Sequence, residues 1–365
     1  MTPRLGSTPP LAIYRVVVAL RNWLVRLTRR LVPARVALFE QLTGVWQTEM
    51  IYAVTRLGIA DLLAAGPKRA DELAAAAGAN ADSLGRVLRA LAAVGIFARD
   101  RDGRFRLNRL AETLRADSPE SMRDLVLFGG SSHSMAAWCR FLDVVKSGKN
   151  GYQLEHGRPL FDYFAEHPEE GAIFNGAMVC LTRLEAPALA RGYDWSRFAS
   201  LCDVGGGRGT LLASILSLHP KLRGVLFDDE RVVAQADELL ASWGVADRCT
   251  RAGGSFFREI PSGCDAYLFK DILHDWDDAH ALDILRVCRR AMKPGARLLI
   301  AEMLIVDDGA FHPAKLLDLE MMDATHDGRQ RSREDFERLF KLSDFRLSRI
   351  VALPAPTSLV EAEAI

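Results

Sequence analysis

The stretch Asp203-Val-Gly-Gly-Gly-Arg-Gly209 decides the fold class of this chain. It continues the apolar segment Leu201–Val204 and precedes a helical pattern. Glycines at 205, 207 and 209 let the backbone turn sharply and let a ligand approach closely. The spacing G-x-G-x-G differs from the G-x-G-x-x-G that sets a pyrophosphate at a helix N-terminus. The motif therefore predicts a site for a ligand without phosphate; the alternative is a tight turn from strand to helix.

From this motif to the C-terminus, strand and helix patterns alternate. Such alternation is typical of a parallel sheet with helices on both faces, so we predict a Rossmann-like α/β domain with a mostly parallel, seven-stranded sheet. The last two strands are expected to form an antiparallel pair. The candidate strands are Leu201–Val204, Gly224–Phe227, Arg248–Ala252, Ala266–Phe269, Arg297–Met303, Arg346–Leu353 and Ser358–Glu363.

A carboxylate stands where the second of these strands ends. Asp228 follows the glycine loop by about 20 residues, the position from which an acidic side chain accepts hydrogen bonds from ribose hydroxyls in nucleoside sites. Asp229 points to the other face of the strand, since side chains alternate, and we interpret it as a solvated turn residue. The loop and Asp228 together favour a nucleoside-containing ligand.

The half of the chain before the sheet is mainly helical. We predict a helix over Ala70–Ala77 ended by Gly78, and a second helix capped by Asp82 and closed by Gly95. A D-G turn at Asp102 then indicates a hairpin. A long helical pattern over Ala34–Leu63 precedes these two helices, and three helices followed by a hairpin are typical of a winged helix.

A winged helix raises the alternative of a DNA-binding regulator. Arg86 and Arg89 are expected on the exposed face of the second short helix, but acidic residues surround them. Lys+Arg and Asp+Glu both number 47, so the chain lacks the basic excess of a general nucleic-acid binder. We favour a structural or dimer-forming use of the motif and expect no nucleic-acid partner.

The 365 residues are more than one ordinary domain needs. We predict an N-terminal extension over residues 1–33, a helical domain over 34–185 and a ligand-binding catalytic domain over 186–365. In the extension, residues 11–32 form an amphipathic helical pattern with five arginines, which argues against a membrane span or a signal peptide. The apolar stripe is expected to pack on its own protein or on a second subunit. The alternative is peripheral contact with a membrane.

The cysteines are far apart in sequence and form no C-x-x-C pair. We interpret them as buried thiols in a reducing compartment, which predicts a cytoplasmic protein. They are Cys139, Cys180, Cys202, Cys249, Cys264 and Cys288.

Taken together, these motifs resemble the caffeic-acid-type O-methyltransferases of plants and their bacterial relatives in natural-product pathways. The resemblance runs from about Leu38 to the end of the chain. It implies a winged-helix dimerisation domain, a homodimer, a small-molecule acceptor, S-adenosyl-L-methionine (SAM) as cofactor and S-adenosyl-L-homocysteine as product. The matching pieces are Asp203–Gly209, Phe227-Asp228, Gly253–Phe257, Lys270–Trp276, Ala301-Glu302 and Met321 through Gly328–Ser332.

The resemblance also implies which residues hold the cofactor. The glycine loop and Asp228 are expected to hold its methionine and ribose parts, Phe256 to pack on adenine and Lys270 to flank it. Ser255 stands where the family usually has Asp, which removes a charge-assisted hydrogen bond worth about 1–2 kcal/mol. The implied cofactor residues are Asp203, Gly205, Gly207, Asp228, Ser255, Phe256 and Lys270.

His274, in Leu-His-Asp-Trp, is the implied general base. Imidazole titrates near neutral pH and can accept a phenolic proton. Glu302 matches one of the two carboxylates that orient this histidine in the family, and Gln330 replaces the other, so we expect a weaker base suited to an acidic hydroxyl. Enzymes of this fold with non-methylating chemistry stay an alternative, and the acceptor atom, O, N or C, stays open.

The resemblance further implies which residues line the acceptor pocket, although core packing is an alternative for the two methionines. These residues are Asn175, Met178, Asp271, Met321 and Thr325. We expect no metal site, because no D-x-D-type cluster lies near the glycine loop. The acidic run Asp275, Asp277 and Asp278 is interpreted as the start of the next helix.

Overall fold

A computed structural model describes residues 5–365, which divide into two compact units. The first unit consists of residues 5–23, 137–166 and 182–365, and the second of 24–136 and 167–181. The predicted domain limits 1–33, 34–185 and 186–365 stay a prediction, since the units reflect compactness alone.

The strands are β1 (Ala98–Arg99), β2 (Phe105–Arg106), β3 (Ser200–Val204), β4 (Arg223–Asp228), β5 (Cys249–Gly253), β6 (Ala266–Lys270), β7 (Arg297–Glu302), β8 (Phe345–Ala352) and β9 (Ser358–Ala364). The helices are α1 (Leu11–Arg30), α2 (Ala34–Leu42), α3 (Gly44–Arg56), α4 (Ile59–Leu62), α5 (Ala70–Ala77), α6 (Ala81–Ala93), α7 (Arg109–Glu112), α8 (Arg123–Gly129), α9 (Ser132–Cys139), α10 (Phe141–Ser147), α11 (Gly151–His156), α12 (Leu160–Glu166), α13 (Pro168–Gly192), α14 (Thr210–Leu218), α15 (Glu230–Val233), α16 (Asp237–Ser242), α17 (Asp278–Ala291), α18 (Ala314–Ala324) and α19 (Arg333–Leu342). Short 3₁₀ turns cover Trp195–Arg197, Ala246–Arg248 and Leu273–Asp275.

The first unit contains a seven-stranded sheet in the order β5-β4-β3-β6-β7-β9-β8. The five strands from β3 to β7 are parallel, and β9 runs antiparallel to both β7 and β8. This confirms the Rossmann-like fold and the C-terminal antiparallel pair. The strand order reverses between β3 and β6, and ligands bind at such reversals, beyond the carboxyl ends of the strands.

Alternating side chains of β3 supply both hydrophobic cores of this unit. Leu201 faces one cluster, which includes helix α14, while Cys202 and Val204 face the other, which includes α17. The apolar content of the strands therefore reflects burial on both faces of a parallel sheet.

The second unit contains the expected helices and hairpin. Helix α5 ends at Gly78, whose φ of 64° is left-handed, and β1 pairs antiparallel with β2. The predicted cap of α6 is wrong by two residues. Asn80, not Asp82, is the N-cap, and its side chain accepts from the Ser83 N–H at 3.0 Å, which places Asp82 in the first turn.

Helix α1 leaves its apolar stripe exposed. None of its residues is buried, so the side chains of residues 5–365 do not bury the stripe. Within residues 5–365, no helix is both long and apolar enough to cross a membrane. The exposed members of the stripe are Ile13, Val16, Val17, Leu20 and Leu24, with Leu31 just after the helix.

The six cysteines are all free thiols, and the structure corrects their expected burial. Cys139 is exposed and Cys249 is only partly buried, whereas the other four are buried. Cys139 is the last residue of α9, where the end of the helix meets solvent.

Candidate active site

The glycine loop follows β3 and turns into α14. Gly205, Gly207 and Gly209 have φ values of 69°, 58° and 84°, a region that side chains other than glycine rarely adopt. The loop is tied to the neighbouring strand, because the Gly205 N–H donates to the Phe227 carbonyl at 2.8 Å. A Cβ at Gly205 would overlap the Ile272 side chain. The loop therefore needs glycine both for its conformation and for space.

Asp203 is the next-to-last residue of β3, and its carboxylate packs against the loop at Gly206. Its side chain is buried, and Oδ2 has no hydrogen-bond partner. Burial raises the pKa of Asp203 to about 7, with a smaller contribution from the charge of Asp228. An unpartnered buried acceptor beside a glycine loop is an arrangement that a ligand donor can complete.

Asp228 ends β4 beside the loop. Its Oδ2 accepts from the Gly207 N–H at 2.7 Å and its Oδ1 from the Asp229 N–H at 2.7 Å. Burial raises its pKa, although both hydrogen bonds oppose this. Each oxygen keeps acceptor capacity, since a carboxylate accepts about four hydrogen bonds. Asp229 caps α15 by accepting from the Arg231 N–H, which agrees with its interpretation as a turn residue.

Aromatic side chains form the next part of the site. Phe256 contacts the Gly205 position, and its ring lies 5.1 Å from that of Phe257 and 6.3 Å from that of Trp276, measured between centroids. Ser255 Oγ accepts only a long 3.4 Å hydrogen bond from the Phe257 N–H. Phe256 thus lies beside the loop, its packing on adenine stays a prediction, and the Ser255 hydroxyl is only weakly engaged.

Lys270 lies in a buried ion cluster that the sequence did not predict. Its Nζ is 3.3 Å from Glu185 and pairs with Asp271. Burial lowers the pKa of Lys270, but the two carboxylates outweigh it, so the net pKa is raised. Thr357 donates to Glu185. Glu185 lies on helix α13, far from Lys270 in sequence, and no local sequence pattern identifies it as the partner of Lys270.

His274 lies in the 3₁₀ turn Leu273–Asp275, directly after β6. The ring is buried, and burial lowers its pKa to about 4; Asp271 opposes this, whereas Lys270 and Arg331 add to it. Its Nδ1 lies 2.6 Å from the amide of Gln330. The imidazole is therefore neutral at pH 7, the protonation state that a base requires.

The Gln330 amide selects the tautomer of His274. With Nε2 facing Nδ1, the amide oxygen is buried without a partner. With the oxygen facing Nδ1, the oxygen accepts a hydrogen bond from the Nδ1–H group. The other ring nitrogen, Nε2, is then unprotonated and can take a proton from the acceptor. The second orientation satisfies the oxygen and places the amide nitrogen at the position without a partner among residues 5–365; the general-base role requires this orientation.

Glu302 contacts the backbone of His274, and its part in orienting the ring stays a prediction. Oε1 accepts from the His274 N–H at 3.1 Å. Burial raises the pKa of Glu302 to about 7, although Arg331 opposes this. Glu302 therefore fixes the position of the turn.

The predicted acceptor residues fall in both units. Asp271 precedes His274 in the first unit and has a φ of 51°, strained for a residue other than glycine. Met321 and Thr325 lie at the end of α18, and the Thr325 hydroxyl donates to the Met321 carbonyl at 2.7 Å. Asn175 and Met178 lie in the part of α13 that belongs to the second unit. All five stay predictions as acceptor contacts.

Asp277 and Asp278 begin the next helix, as predicted, but Asp275 does not, because it lies in the 3₁₀ turn with His274. Asp277 caps α17 by accepting from the His280 N–H at 2.8 Å, and Asp278 pairs with Arg331 and Arg338. Among residues 5–365, no group of three or more His, Cys, Asp or Glu side chains is placed to hold a metal ion.

Two family models match the chain. Residues 138–346 match the O-methyltransferase domain, and residues 39–117 match the O-methyltransferase dimerisation domain. The chain is similar to phenazine O-methyltransferase from Lysobacter antibioticus, with 40% identity over 334 residues that cover 92% of this chain and 97% of that protein.

Solved structures give the same result. The structure of LaPhzM is 40% identical with a TM-score of 0.88, and the match covers 92% of this chain and 100% of that one. The O-methyltransferase NcsB1 from neocarzinostatin biosynthesis, solved with SAM and 2-hydroxy-5-methyl naphthoic acid, is 30% identical with a TM-score of 0.74 over 87% of this chain and 96% of that one.

Proposed function

This chain belongs to the O-methyltransferase family, and we propose that it methylates a phenolic hydroxyl of a planar, electron-poor aromatic molecule with His274 as general base. It is a SAM-dependent enzyme and a homodimer. One observation carries the proposal: the glycine loop and the His274 turn leave the adjacent parallel strands β3 and β6, at the reversal of strand order where such sheets bind ligands.

The residues around the glycine loop fit SAM. Asp203 Oδ2 is a buried acceptor without a partner, and Asp228 keeps acceptor capacity for ribose hydroxyls. Phe256 offers an aromatic face beside Gly205, where the adenine would pack. When bound, SAM supplies a methyl group that its sulfonium charge already activates.

The protein's own task is then to hold the acceptor and take its proton. We assign the proton to the ring nitrogen of His274 that Gln330 does not contact. A pKa of about 4 makes this imidazole a weak base, and a weak base is best matched to an acidic hydroxyl. Phenols on electron-poor rings have such hydroxyls, and two relatives support an aromatic acceptor: one is named a phenazine O-methyltransferase and the other is solved with 2-hydroxy-5-methyl naphthoic acid.

Two further features belong to the same proposal. We infer that Asn175, Met178, Asp271, Met321 and Thr325 line the acceptor pocket. We also infer that the enzyme works in the cytoplasm, because all the cysteines are free thiols.

The test combines binding with turnover. Calorimetry should show that Asp228→Ala weakens SAM binding by about tenfold or more, since it removes a buried acceptor. With a hydroxyphenazine as acceptor, His274→Ala should lose about 10²-fold in kcat and keep its SAM affinity. His219→Ala, which alters a half-buried histidine at the end of α14, is the control.

Near-full methyl transfer by His274→Ala would contradict the general-base role. Unchanged SAM affinity in Asp228→Ala would contradict the cofactor site. If the wild type binds SAM yet methylates none of a panel of phenols and aryl amines, non-methylating chemistry becomes the better proposal.

A further inference from the structure

The turn that carries His274 has its carbonyl groups tied to one other segment of the chain. We call residues 273–276 the histidine turn and residues 326–331 the clamp segment. The backbone N–H groups of His326 and Arg329 donate to the carbonyls of Asp275 and His274, at 3.2 and 2.8 Å. The two remaining carbonyls of the turn accept from a side chain, that of Arg331.

Arg331 is fully buried. Its Nη1 donates to the Leu273 carbonyl at 2.5 Å, and its Nη2 donates to the Trp276 carbonyl at 2.8 Å. The same guanidinium also donates to Asp278 through Nε and Nη2, at 3.2 and 3.1 Å. A planar fork of five donors is the side chain best able to make all of these bonds at once.

The clamp segment packs directly against the turn, with no space for a side chain between them at Gly328. A Cβ at Gly328 would overlap the His274 carbonyl oxygen and the Thr325 hydroxyl. The same segment carries Gln330, whose amide contacts the His274 ring, and the Gln330 N–H is held by Asp318 at 2.7 Å. One short segment therefore sets the backbone position and the ring contact of His274 together.

We propose that Arg331 is a positioning residue for methyl transfer, which holds the histidine turn so that the His274 ring meets the acceptor. The proposal rests on the proposed role of His274. It assigns to Arg331 the task of fixing both ends of the turn, while Glu302 and the Arg329 backbone fix its middle.

The charge of Arg331 gives the proposal a readout that a purely structural role lacks. The charged and titratable groups near His274 are Asp271, Lys270, Arg331, Asp275 and Glu302. Arg331 lowers the pKa of His274. Without that positive charge the pKa of His274 rises, so a larger fraction of the ring is protonated at a given low pH. The acidic limb of the rate profile therefore moves to higher pH.

The experiment measures kcat, KM and pH profiles of Arg331→Met and Arg331→Lys on one phenolic acceptor. Arg331→Met should lose about 10²-fold in kcat, because small misplacements of reacting groups cost that much, with the KM for SAM within about threefold. Its acidic limb should move to higher pH. Arg331→Lys keeps the charge but cannot reach both carbonyls, so kcat falls while the limb stays in place.

Arg333→Met is the matched control, since its guanidinium is exposed and pairs with Glu337 at the surface. The folded fraction of each variant is measured by circular dichroism.

The proposal is overturned if Arg331→Met keeps kcat within threefold of the wild type. It is also overturned if activity falls only with the folded fraction and the limb does not move. If Arg331→Met does not fold, the kcat of Arg331→Lys is the deciding measurement: a fall supports the proposal, and a kcat within threefold of the wild type overturns it. Failure of the general base itself is separate, because it appears in His274→Ala.

Discussion

Burial and charge act on His274 in opposite directions. Burial lowers its pKa to about 4, and Asp271 partly offsets this. The neutral amide of Gln330 orients the ring without stabilising its protonated form. The outcome is a histidine that is neutral over the whole physiological range but has low basicity, so the acceptor must be easy to deprotonate.

Replacing Gln330 by Glu tests this balance. A carboxylate against Nδ1 stabilises imidazolium and raises the pKa of His274, by about one unit for a partly buried pair. The ring must be neutral to act as a base, so the acidic limb should move to higher pH. Since the wild-type pKa is about 4, the ring stays mostly neutral at pH 7, and activity on weakly acidic phenols should rise there. The measurement is a pH–rate profile on two phenols of different pKa.

Gln330→Met is the matched control, because it keeps the length of the side chain without a charge or a hydrogen bond. If Gln330→Glu leaves the acidic limb in place, the amide does not tune the base.

At the scale of elements, strands and loops with local patterns were predictable. The five parallel strands, the glycine loop and the turn that begins α17 follow from periodicity, glycine spacing and capping residues. The cap of α6 was misplaced because Asn80 and Asp82 are both good caps, and sequence alone does not separate them.

Contacts between distant segments were not predictable. Arg331 donates to a carbonyl 58 positions away, and Lys270, at the end of β6, pairs with Glu185 on helix α13. Neither residue lies in a local sequence pattern that identifies its partner, because the packing of the sheet and its helices determines which distant residues meet. Gln330 was placed near His274 only through the family resemblance.

The glycine loop yields a prediction of its own. Gly206 has no left-handed φ, yet a Cβ there would overlap the buried side chains of Leu226 and Asp203. Gly206→Ala must shift the loop, at a cost of about 1–3 kcal/mol for overpacking, and SAM affinity should fall about tenfold or more. Calorimetry measures it, with Gly309→Ala as control because a Cβ there meets nothing. An unchanged Kd in Gly206→Ala would show that the loop adapts without affecting the cofactor.

At the scale of the whole molecule, exposed apolar surface is concentrated near the N-terminus. Fourteen of the twenty-four large hydrophobic side chains exposed among residues 5–365 lie between Ile13 and Trp46. This range runs from α1 into the segment matched by the dimerisation domain. Singly scattered apolar residues need no explanation, but a concentration of this size marks an interaction surface.

A second copy of the chain is the partner that we expect for these residues, because exposed apolar side chains follow one another in sequence from α1 into the segment matched by the dimerisation domain. The double substitution Val16→Glu/Leu20→Glu should therefore weaken the dimer. Each lost apolar contact is worth about 1.5–3 kcal/mol, and the symmetric interface loses it twice. Sedimentation at decreasing concentration should show a species near the 40.3 kDa of one chain where the wild type is still dimeric. Leu342→Glu, at an exposed leucine that ends α19, is the control.

If the variant stays dimeric but the wild type alone binds anionic vesicles, the stripe faces a membrane instead, and the arginines of α1 would then lie against the lipid headgroups.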